Sequence, residues 1–267
     1  MFKFFIVKND YKVTAKLIAE LEKQLLEQGN LLDDKNPDYV FVIGGDGTFL
    51  KAVHLFQNCL DQVKFIPFKS GGIGFYTNRN NIQDIQKIIA AIKNQQMQLS
   101  TYEVLEISNK NQVHYCCNEV KILNEKNLVY IKIFLNDEFF ETFHGTGLVI
   151  STANGSTGYM KSTGGAVIFP KNAKIYQLQE LVPVSTNKYR TLNAPLILNN
   201  DVKLKLELSS LTETLLCDTQ ERKIMGKELT IKISDKKINI LSLKNHDYKS
   251  EIQVLREIFI KDKEVIE

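Results

Sequence analysis

A glycine-rich corner between two apolar runs constrains the fold of this chain more than any other feature. Four apolar residues, 40–43, lead into Gly-Gly-Asp-Gly-Thr at residues 44–48, and apolar residues then recur at helical spacing to residue 60. This order predicts a buried strand, a tight turn and a helix. We expect the glycines to allow close backbone approach and positive φ, and the helix N-terminus to favour an anion.

Asp46 is the unusual residue of this corner. A carboxylate at a site that favours anions costs energy unless it accepts a proton or holds a metal ion. The alternative is that Asp46 caps the helix, as aspartate often does. For a glycine-rich turn alone the capping role is the commoner one, whereas two further motifs favour a catalytic role.

The composition describes an ordinary globular protein. The chain has 267 residues, which suffices for one large domain or two small ones, with 43% hydrophobic and 24% charged residues. A net charge of +3 gives no argument for binding nucleic acid or a membrane. Four cysteines lack metal-site spacing, and the chain shows neither a signal peptide nor an apolar run of about 20 residues. We therefore expect free thiols and a cytoplasmic location.

Strand-like and helix-like segments alternate over the first hundred residues, which predicts a parallel sheet covered by helices. Strands are predicted at residues 2–7, 39–43 and 63–68, and helices at 11–28, 49–60 and after Asn81. A second glycine-rich turn follows the third strand, at residues 69–75.

From about residue 98 the apolar period changes to two, as in residues 129–135, 202–208 and 229–233. This pattern predicts half-buried, mostly antiparallel strands. Helical spacing returns at residues 250–259. We therefore predict an α/β domain at residues 1–98, a β-rich domain at 99–247 and a separate final segment at 248–267.

Two polar motifs fall in the β-rich region. Asn118 and Glu119 interrupt an apolar neighbourhood, either as a simple turn or as a bidentate grip on the vicinal hydroxyls of a sugar. Residues 151–165 are rich in hydroxyls and glycine, and they include Tyr159, which could stack on a base. The alternative for this second motif is a flexible surface loop. A serine nucleophile there would lack an identifiable base.

Other enzyme classes find no support in the sequence. There is no P-loop signature, and no G-x-G-x-x-G follows the first predicted strand, which argues against P-loop enzymes and Rossmann dehydrogenases. The four histidines form no H-E-x-x-H pair, so a metallohydrolase is unsupported.

Taken in order, the motifs resemble the NAD kinase family over nearly the whole chain. They are Gly-Gly-Asp-Gly-Thr at residues 44–48, Lys-Ser-Gly at 69–71 with Gly74 and Phe75, Asn118-Glu119, and the stretch ending in Gly164-Gly165. Residues 189–191, Tyr-Arg-Thr, fit as well. The first motif alone is shared with lipid kinases and phosphofructokinases, whereas the full series is far more specific.

The resemblance implies an α/β plus all-β protein, with an N-terminal parallel α/β domain and a C-terminal antiparallel β-sandwich-like domain. It places the nucleotide in the cleft between them and the C-terminal helix back on the first domain. The implied reaction phosphorylates the 2′-hydroxyl of the adenosine ribose of NAD, with ATP or polyphosphate as donor and a divalent metal cation, for which we expect magnesium. Family members are usually homodimers or homotetramers, and a neighbouring subunit often completes the NAD site.

Carried onto this sequence, the resemblance makes Asp46 the base that accepts the 2′-hydroxyl proton. Asn118 and Glu119 would hold ribose hydroxyls. The phosphate-facing turn would be Gly44, Gly45, Gly47 and Thr48, the adenine and nicotinamide pockets would be lined by Thr157, Gly158, Tyr159 and Ser162, and the remaining nucleotide-binding positions would be Phe75, His144, Thr146 and Thr219.

Three departures separate this chain from the family pattern. The family stretch T-P-T-G-S-T-A-Y reads T-A-N-G-S-T-G-Y at residues 152–159, and R-G-D-G reads H-G-T-G at 144–147. Asp218 is followed by Thr219, where relatives have Gly or His. The second departure removes a carboxylate near the nicotinamide.

The rival functions are a lipid or sugar kinase of the same superfamily and a catalytically weak NAD(P)-binding regulator.

Overall fold

The computed structural model describes residues 1–9, 12–69, 74–187, 190–244 and 249–260. The strands are β1 (Lys3–Lys8), β2 (Leu31–Leu32), β3 (Tyr39–Gly44), β4 (Lys64–Lys69), β5 (Met97–Asn109), β6 (Gln112–Cys116), β7 (Glu119–Leu123), β8 (Val129–Leu135), β9 (Glu138–Gly145), β10 (Gly147–Thr152), β11 (Ile175–Leu181), β12 (Leu196–Asn199), β13 (Leu204–Leu208), β14 (Thr214–Cys217), β15 (Gln220–Arg222) and β16 (Glu228–Leu243). The α-helices are α1 (Lys12–Glu27), α2 (Asp46–Leu55), α3 (Ile85–Lys93), α4 (Tyr159–Ser162) and α5 (Glu251–Phe259).

The chain divides into two compact units, Met1–Thr101 with Ile238–Glu267, and Tyr102–Lys237. In the first unit, β2, β1, β3 and β4 lie side by side in that order and pair in parallel. The end of β16 extends this sheet, because Asn239 pairs with Lys64 in parallel. The predicted parallel α/β arrangement is confirmed. The predicted boundaries at residues 98 and 247 stay predictions.

Helices cover the parallel sheet because their apolar stripes match its apolar strands. Phe41 and Phe68 of the sheet belong to one buried cluster with Leu25 of α1 and Ile88 of α3. The second helix begins at Asp46 and ends at Leu55, so the prediction that it runs to residue 60 is wrong. Residues 57–59 form a separate 3-10 turn instead.

The C-terminal helix α5 belongs to the first unit. It begins with a capping box, in which Ser250 Oγ accepts from Gln253 N–H at 3.2 Å and Gln253 Oε1 accepts from Ser250 N–H at 2.8 Å. Phe259 stacks on Phe75 with ring centroids 6.3 Å apart, and Glu251 Oε1 lies 3.7 Å from Arg79 Nη2. The helix thus packs on the unit that carries the glycine-rich corner.

The second unit is antiparallel, as the period of two predicts. Six strands follow the order β12, β11, β10, β7, β14, β15. A second group contains β16, β13, β8 and β9, with β5 and β6 paired beside β16. Buried residues from both groups, such as Ile150 and Ile131, form one core, which gives the sandwich-like arrangement. Within it, Ser151 of β10 pairs with Glu119 of β7.

No helix among the described residues has both the length and the apolar character needed to span a bilayer.

Candidate active site

Asp46 is the first residue of α2, and Gly45, which separates it from the end of β3, occupies the N-cap without a side-chain hydrogen bond. The alternative in which Asp46 caps the helix is therefore wrong. Its carboxylate instead accepts hydrogen bonds from residues 75–77. Oδ2 accepts from Phe75 N–H at 2.8 Å, and Oδ1 accepts from Tyr76 N–H at 3.1 Å and from the N–H and hydroxyl of Thr77, each at 3.3 Å.

This arrangement gives the Asp46 carboxylate two distinct oxygens. Oδ1 accepts three hydrogen bonds of 3.1–3.3 Å and anchors residues 76 and 77, whereas Oδ2 accepts one from the described residues. A carboxylate oxygen has about two acceptor positions, so Oδ2 can still accept a proton or a hydroxyl. Asp46 therefore anchors residues 75–77, and its Oδ2 keeps an acceptor position for a ligand.

Glycine in this region provides space rather than left-handed backbone. Gly45 has φ −91°, and neither Gly44 nor Gly47 has positive φ, so this turn does not use the left-handed conformation that glycine allows. A Cβ at Gly74 would lie 2.7 Å from Asp46 Oδ1 and 2.3 Å from Thr77 Oγ1. Only glycine lets this loop approach the carboxylate so closely.

Parts of two predicted motifs lie outside the described residues. These are residues 70–73 of the second glycine-rich turn, and Tyr189 of the Tyr-Arg-Thr sequence.

In the second unit, Asn118 and Glu119 lie at the start of β7 and are held there by Asp218. The Asp218 carboxylate accepts from the backbone N–H groups of Cys117 at 2.9 Å, Asn118 at 2.7 Å and Glu119 at 3.2 Å. Its own N–H donates to Glu119 O at 2.8 Å. Sequence reasoning noted Asp218 only as the neighbour of a departure and missed this role.

Glu119 carries an unsatisfied oxygen inside the fold. Its side chain is buried, and Oε2 has no hydrogen-bond partner among the described residues. Burial raises the pKa of Glu119 to about 7, with a further contribution from the charge of Asp218 and an opposing one from Lys121, whose Nζ is 3.8 Å from Oε1. A buried acceptor without a donor is unfavourable, so this oxygen suits a ligand hydroxyl.

The hydroxyl- and glycine-rich stretch packs tightly against Asn118. Thr152 Oγ1 donates to Cys117 O at 2.8 Å and accepts from Gly155 N–H at 3.0 Å. A Cβ at Gly155 would lie 2.2 Å from Asn118 O. Residues 151–156 are buried, so the alternative of a flexible surface loop is wrong for this part.

Two of the residues that follow extend this cluster, Gly158 next to Glu119 and Tyr159 next to Lys121. A Cβ at Gly158 would lie 3.4 Å from Glu119 Oε2. The Tyr159 ring is 41% exposed, and Lys121 Nζ lies 4.5 Å from its centroid. Tyr159 therefore offers an accessible aromatic surface next to an ammonium group, an arrangement suited to a stacked base with nearby phosphate or hydroxyl groups. Exposed Ser162 ends α4, and exposed Thr219 directly follows Asp218.

Two predicted residues lie apart from this cluster in the described chain. Thr146 joins β9 to β10, with its N–H bonded to Leu181 O at 2.9 Å. In β10, Gly147 pairs with Leu123, four positions along the strand from the pair Ser151–Glu119, which is about 13 Å away. His144 is buried with its ring 4.1 Å from that of Tyr130, and burial lowers its pKa.

Sequence models of two domains match this chain. The ATP-NAD kinase N-terminal domain matches residues 5–97, and the ATP-NAD kinase C-terminal domain matches residues 117–243. The chain is 33% identical over 268 residues to an NAD kinase of Lactobacillus helveticus, covering 98% of this chain and 97% of that protein. It is 37% identical over 204 residues to an NAD kinase of Lactobacillus acidophilus, covering 74% and 76%.

Solved structures show the same fold. A yeast NADH kinase complexed with NADH superposes with a TM-score of 0.80 at 18% identity, covering all 100% of this chain and 90% of that one. An NAD kinase from Archaeoglobus fulgidus in complex with ATP gives a TM-score of 0.71 at 18% identity, covering 95% and 98%.

Proposed function

The chain belongs to the NAD kinase family, and we propose that Asp46 and Glu119 are the carboxylates through which it acts on NAD. The protein is an NAD kinase, which phosphorylates NAD to NADP. The observation that supports these roles best is the buried Glu119 oxygen beside Gly158, which has no hydrogen-bond partner among the described residues and is an acceptor suited to a ribose hydroxyl.

In the proposed mechanism Asp46 takes the proton of the ribose 2′-hydroxyl on Oδ2 as the ribose oxygen attacks the phosphorus of the donor. The bond between that phosphorus and the donor's bridging oxygen breaks, and the electron pair leaves with the donor. The N-terminus of α2 stabilises the negative charge of the donor phosphates. In phosphoryl transfer the protein contributes mainly the positioning of the reactants and the neutralisation of charge.

The family uses ATP as phosphate donor, and polyphosphate is the second donor that we propose to test. A divalent cation, expected to be magnesium, fits a site in which donor phosphates and water supply most ligands, as is common for this ion. No three metal-ligating side chains come together among residues 1–9, 12–69, 74–187, 190–244 and 249–260. Held by the donor phosphates and water, such a cation would neutralise phosphate charge.

We also propose a homodimer or homotetramer in the cytoplasm. The edge strand β9 exposes 55% of Phe139 and 39% of Phe140, which supports association through this strand. The four cysteines are free thiols, which supports a reducing compartment. Light scattering on the purified protein measures the oligomeric state.

A coupled assay tests the function directly. Protein, ATP, magnesium and NAD are incubated, and NADP is detected through an NADP-specific dehydrogenase. We expect NADP to accumulate in proportion to enzyme. Binding of NAD without any NADP would identify a regulator, and phosphorylation of a lipid or sugar in place of NAD would identify a different kinase.

Glu119→Gln is expected to weaken NAD binding at least tenfold at pH 8, because a hydrogen bond to a charged acceptor contributes about 1.5–3 kcal/mol. The pKa of Glu119 is raised to about 7, so the wild-type carboxyl is mostly neutral below that pH and ionised above it. NAD affinity of the wild type should therefore rise as pH increases through 7, and the difference from the variant should shrink at pH 6.

Calorimetry at both pH values measures this, with Glu125→Gln as the control because Glu125 is exposed in the loop after β7. A dissociation constant that is the same for Glu119→Gln and wild type at pH 8 would remove Glu119 from the site.

Thr146→Asp is expected to lower the Michaelis constant for NAD a few-fold, because the charge of a carboxylate attracts the cationic nicotinamide ring and its bonds are roughly twice as strong as neutral ones. The turnover number should stay constant, since the contact acts equally in the ground and transition states. Thr146→Asn is the uncharged control of the same shape. Equal Michaelis constants for the Asp and Asn variants would contradict a nicotinamide-side role.

A further inference from the structure

A buried lysine lies against the 3-10 turn that runs from Asn154 to Thr157. Lys171 is only 3% exposed, and its Nζ donates to Asn154 O at 2.9 Å and to Thr157 Oγ1 at 2.5 Å. Lysine is among the residues least often fully buried, because removing its charge from water is costly. The hydrogen bonds that Lys171 makes here must therefore offset the cost of burying its charge.

The turn is also held by contacts that do not involve Lys171. Thr152 Oγ1 accepts from Gly155 N–H at 3.0 Å, and Ser156 Oγ accepts from Ile168 N–H at 3.0 Å. These two bonds fix the backbone on either side of Gly155. The bond from Lys171 to Thr157 is different, since it joins two side chains, whereas the donors of the other two bonds are backbone N–H groups.

That bond sets the hydrogen-bonding character of Thr157. An ammonium group only donates, so the Thr157 oxygen must accept, and its hydrogen points away from Lys171. Thr157 is half-buried and makes no other side-chain hydrogen bond among the described residues. A hydroxyl that already accepts from a cation is polarised into a stronger donor and a weaker acceptor.

We propose that Lys171 is a positioning residue that makes Thr157 a hydrogen-bond donor to a ring nitrogen of the adenine of NAD, and thereby selects adenine over bases that carry N–H at that position. The inference rests on the proposed function and on the family resemblance, which places Thr157 among the residues that line the adenine and nicotinamide pockets. Adenine N1 is an acceptor, whereas hypoxanthine, which has nearly the same shape, carries a hydrogen on N1. A hydroxyl that is polarised into a stronger donor and a weaker acceptor favours the first over the second.

The test compares kcat/KM for NAD and for nicotinamide hypoxanthine dinucleotide in a double-mutant cycle. Lys171→Met keeps the length of the side chain and removes the donor, and Thr157→Val keeps the shape and removes the hydroxyl. We expect Lys171→Met to lower the ratio of NAD to analogue at least fivefold, mainly through the Michaelis constant for NAD. In the Thr157→Val background the same change should alter the ratio less than twofold.

A purely structural role gives a different pattern. Lys171→Met would then lower kcat/KM for both dinucleotides equally, or it would lower the ratio of NAD to analogue by the same factor with and without the Thr157 hydroxyl. Either result overturns the proposal. Thermal melts show whether each variant is folded. If Lys171→Met is unfolded, Lys171→Gln retains a neutral donor and should lower the ratio by an intermediate factor; an unchanged ratio would again overturn it.

Different results contradict the proposed function and the role of Lys171. A wild-type protein that makes no NADP contradicts the proposed function itself. Normal turnover of NAD together with an unchanged base preference in the folded variants contradicts only the role of Lys171.

Discussion

Asp46→Asn is expected to lower kcat by about 10²- to 10⁴-fold while NAD still binds, since general-base catalysis typically contributes this much. The amide has nearly the shape of the carboxylate but cannot take the ribose proton. Its oxygen can still accept from Tyr76 and Thr77, whereas its NH₂ group would face Phe75 N–H in place of Oδ2. Losing that one bond costs about 1–3 kcal/mol, less than the stability of a typical domain.

The anchoring role of Asp46 requires a control that disturbs the loop and leaves the charge. Thr77→Val does so, because it removes only the hydroxyl that donates to Asp46 Oδ1 at 3.3 Å. We expect its kcat to stay within about tenfold of wild type, since one long hydrogen bond contributes little. Single-turnover measurements with ATP and calorimetry with NAD separate chemistry from binding. Near-normal turnover of the Asn variant, or equal losses in both variants, would exclude Asp46 as the base.

Gly155→Ala is expected to raise the dissociation constant for NAD by about 10²-fold and to destabilise the second unit, because misplacing a binding group by about 1 Å has effects of this size. The added Cβ would lie 2.2 Å from the carbonyl oxygen and 2.5 Å from the Cα of Asn118. These are backbone atoms, which cannot rotate away as a side chain would. Asn118 is fixed in turn by Asp218, so either the 3-10 turn or the start of β7 must move.

Gly158→Ala provides the matched control in the same loop. There the nearest atoms to an added Cβ are Gly155 O at 3.2 Å and Glu119 Oε2 at 3.4 Å, and the related family sequence has alanine at this position. We expect an effect of a few-fold or less on NAD binding. Calorimetry and thermal unfolding of both variants measure the difference, and similar values for the two would show that the contact between Gly155 and Asn118 is not critical.

The helices and strands of this protein follow from local patterns in the sequence. The period of two in β8, for example, leaves Val129, Ile131 and Ile133 buried and Tyr130 and Lys132 exposed, as expected for a strand with one face in the core. The apolar run before Gly44 becomes the central strand β3. Such patterns are informative because burial acts on each residue according to the face on which it lies.

The candidate residues themselves were also visible in the sequence, as unusual polar groups. Asp46 is conspicuous in a glycine-rich turn, and Asn118-Glu119 stand out between apolar residues. Their chemical types limited what they could do, and the order of the motifs along the chain identified the family. The sequence could not show what holds them, and for Asp46 it left open a capping role that the structure excludes.

Those supports depend on contacts between distant parts of the chain, which only the tertiary structure decides. Asp218 binds the backbone of Asn118, 100 residues away, and Asp46 binds that of Thr77, 31 residues away. Lys171 reaches Thr157 only because the intervening chain folds back on itself. Local periodicity carries no information about which strand lies beside which, because pairing is settled by the packing of the whole core. The sequence therefore determined the helices, the strands and the chemical groups available for a site. The tertiary structure decided which contacts hold and orient those groups.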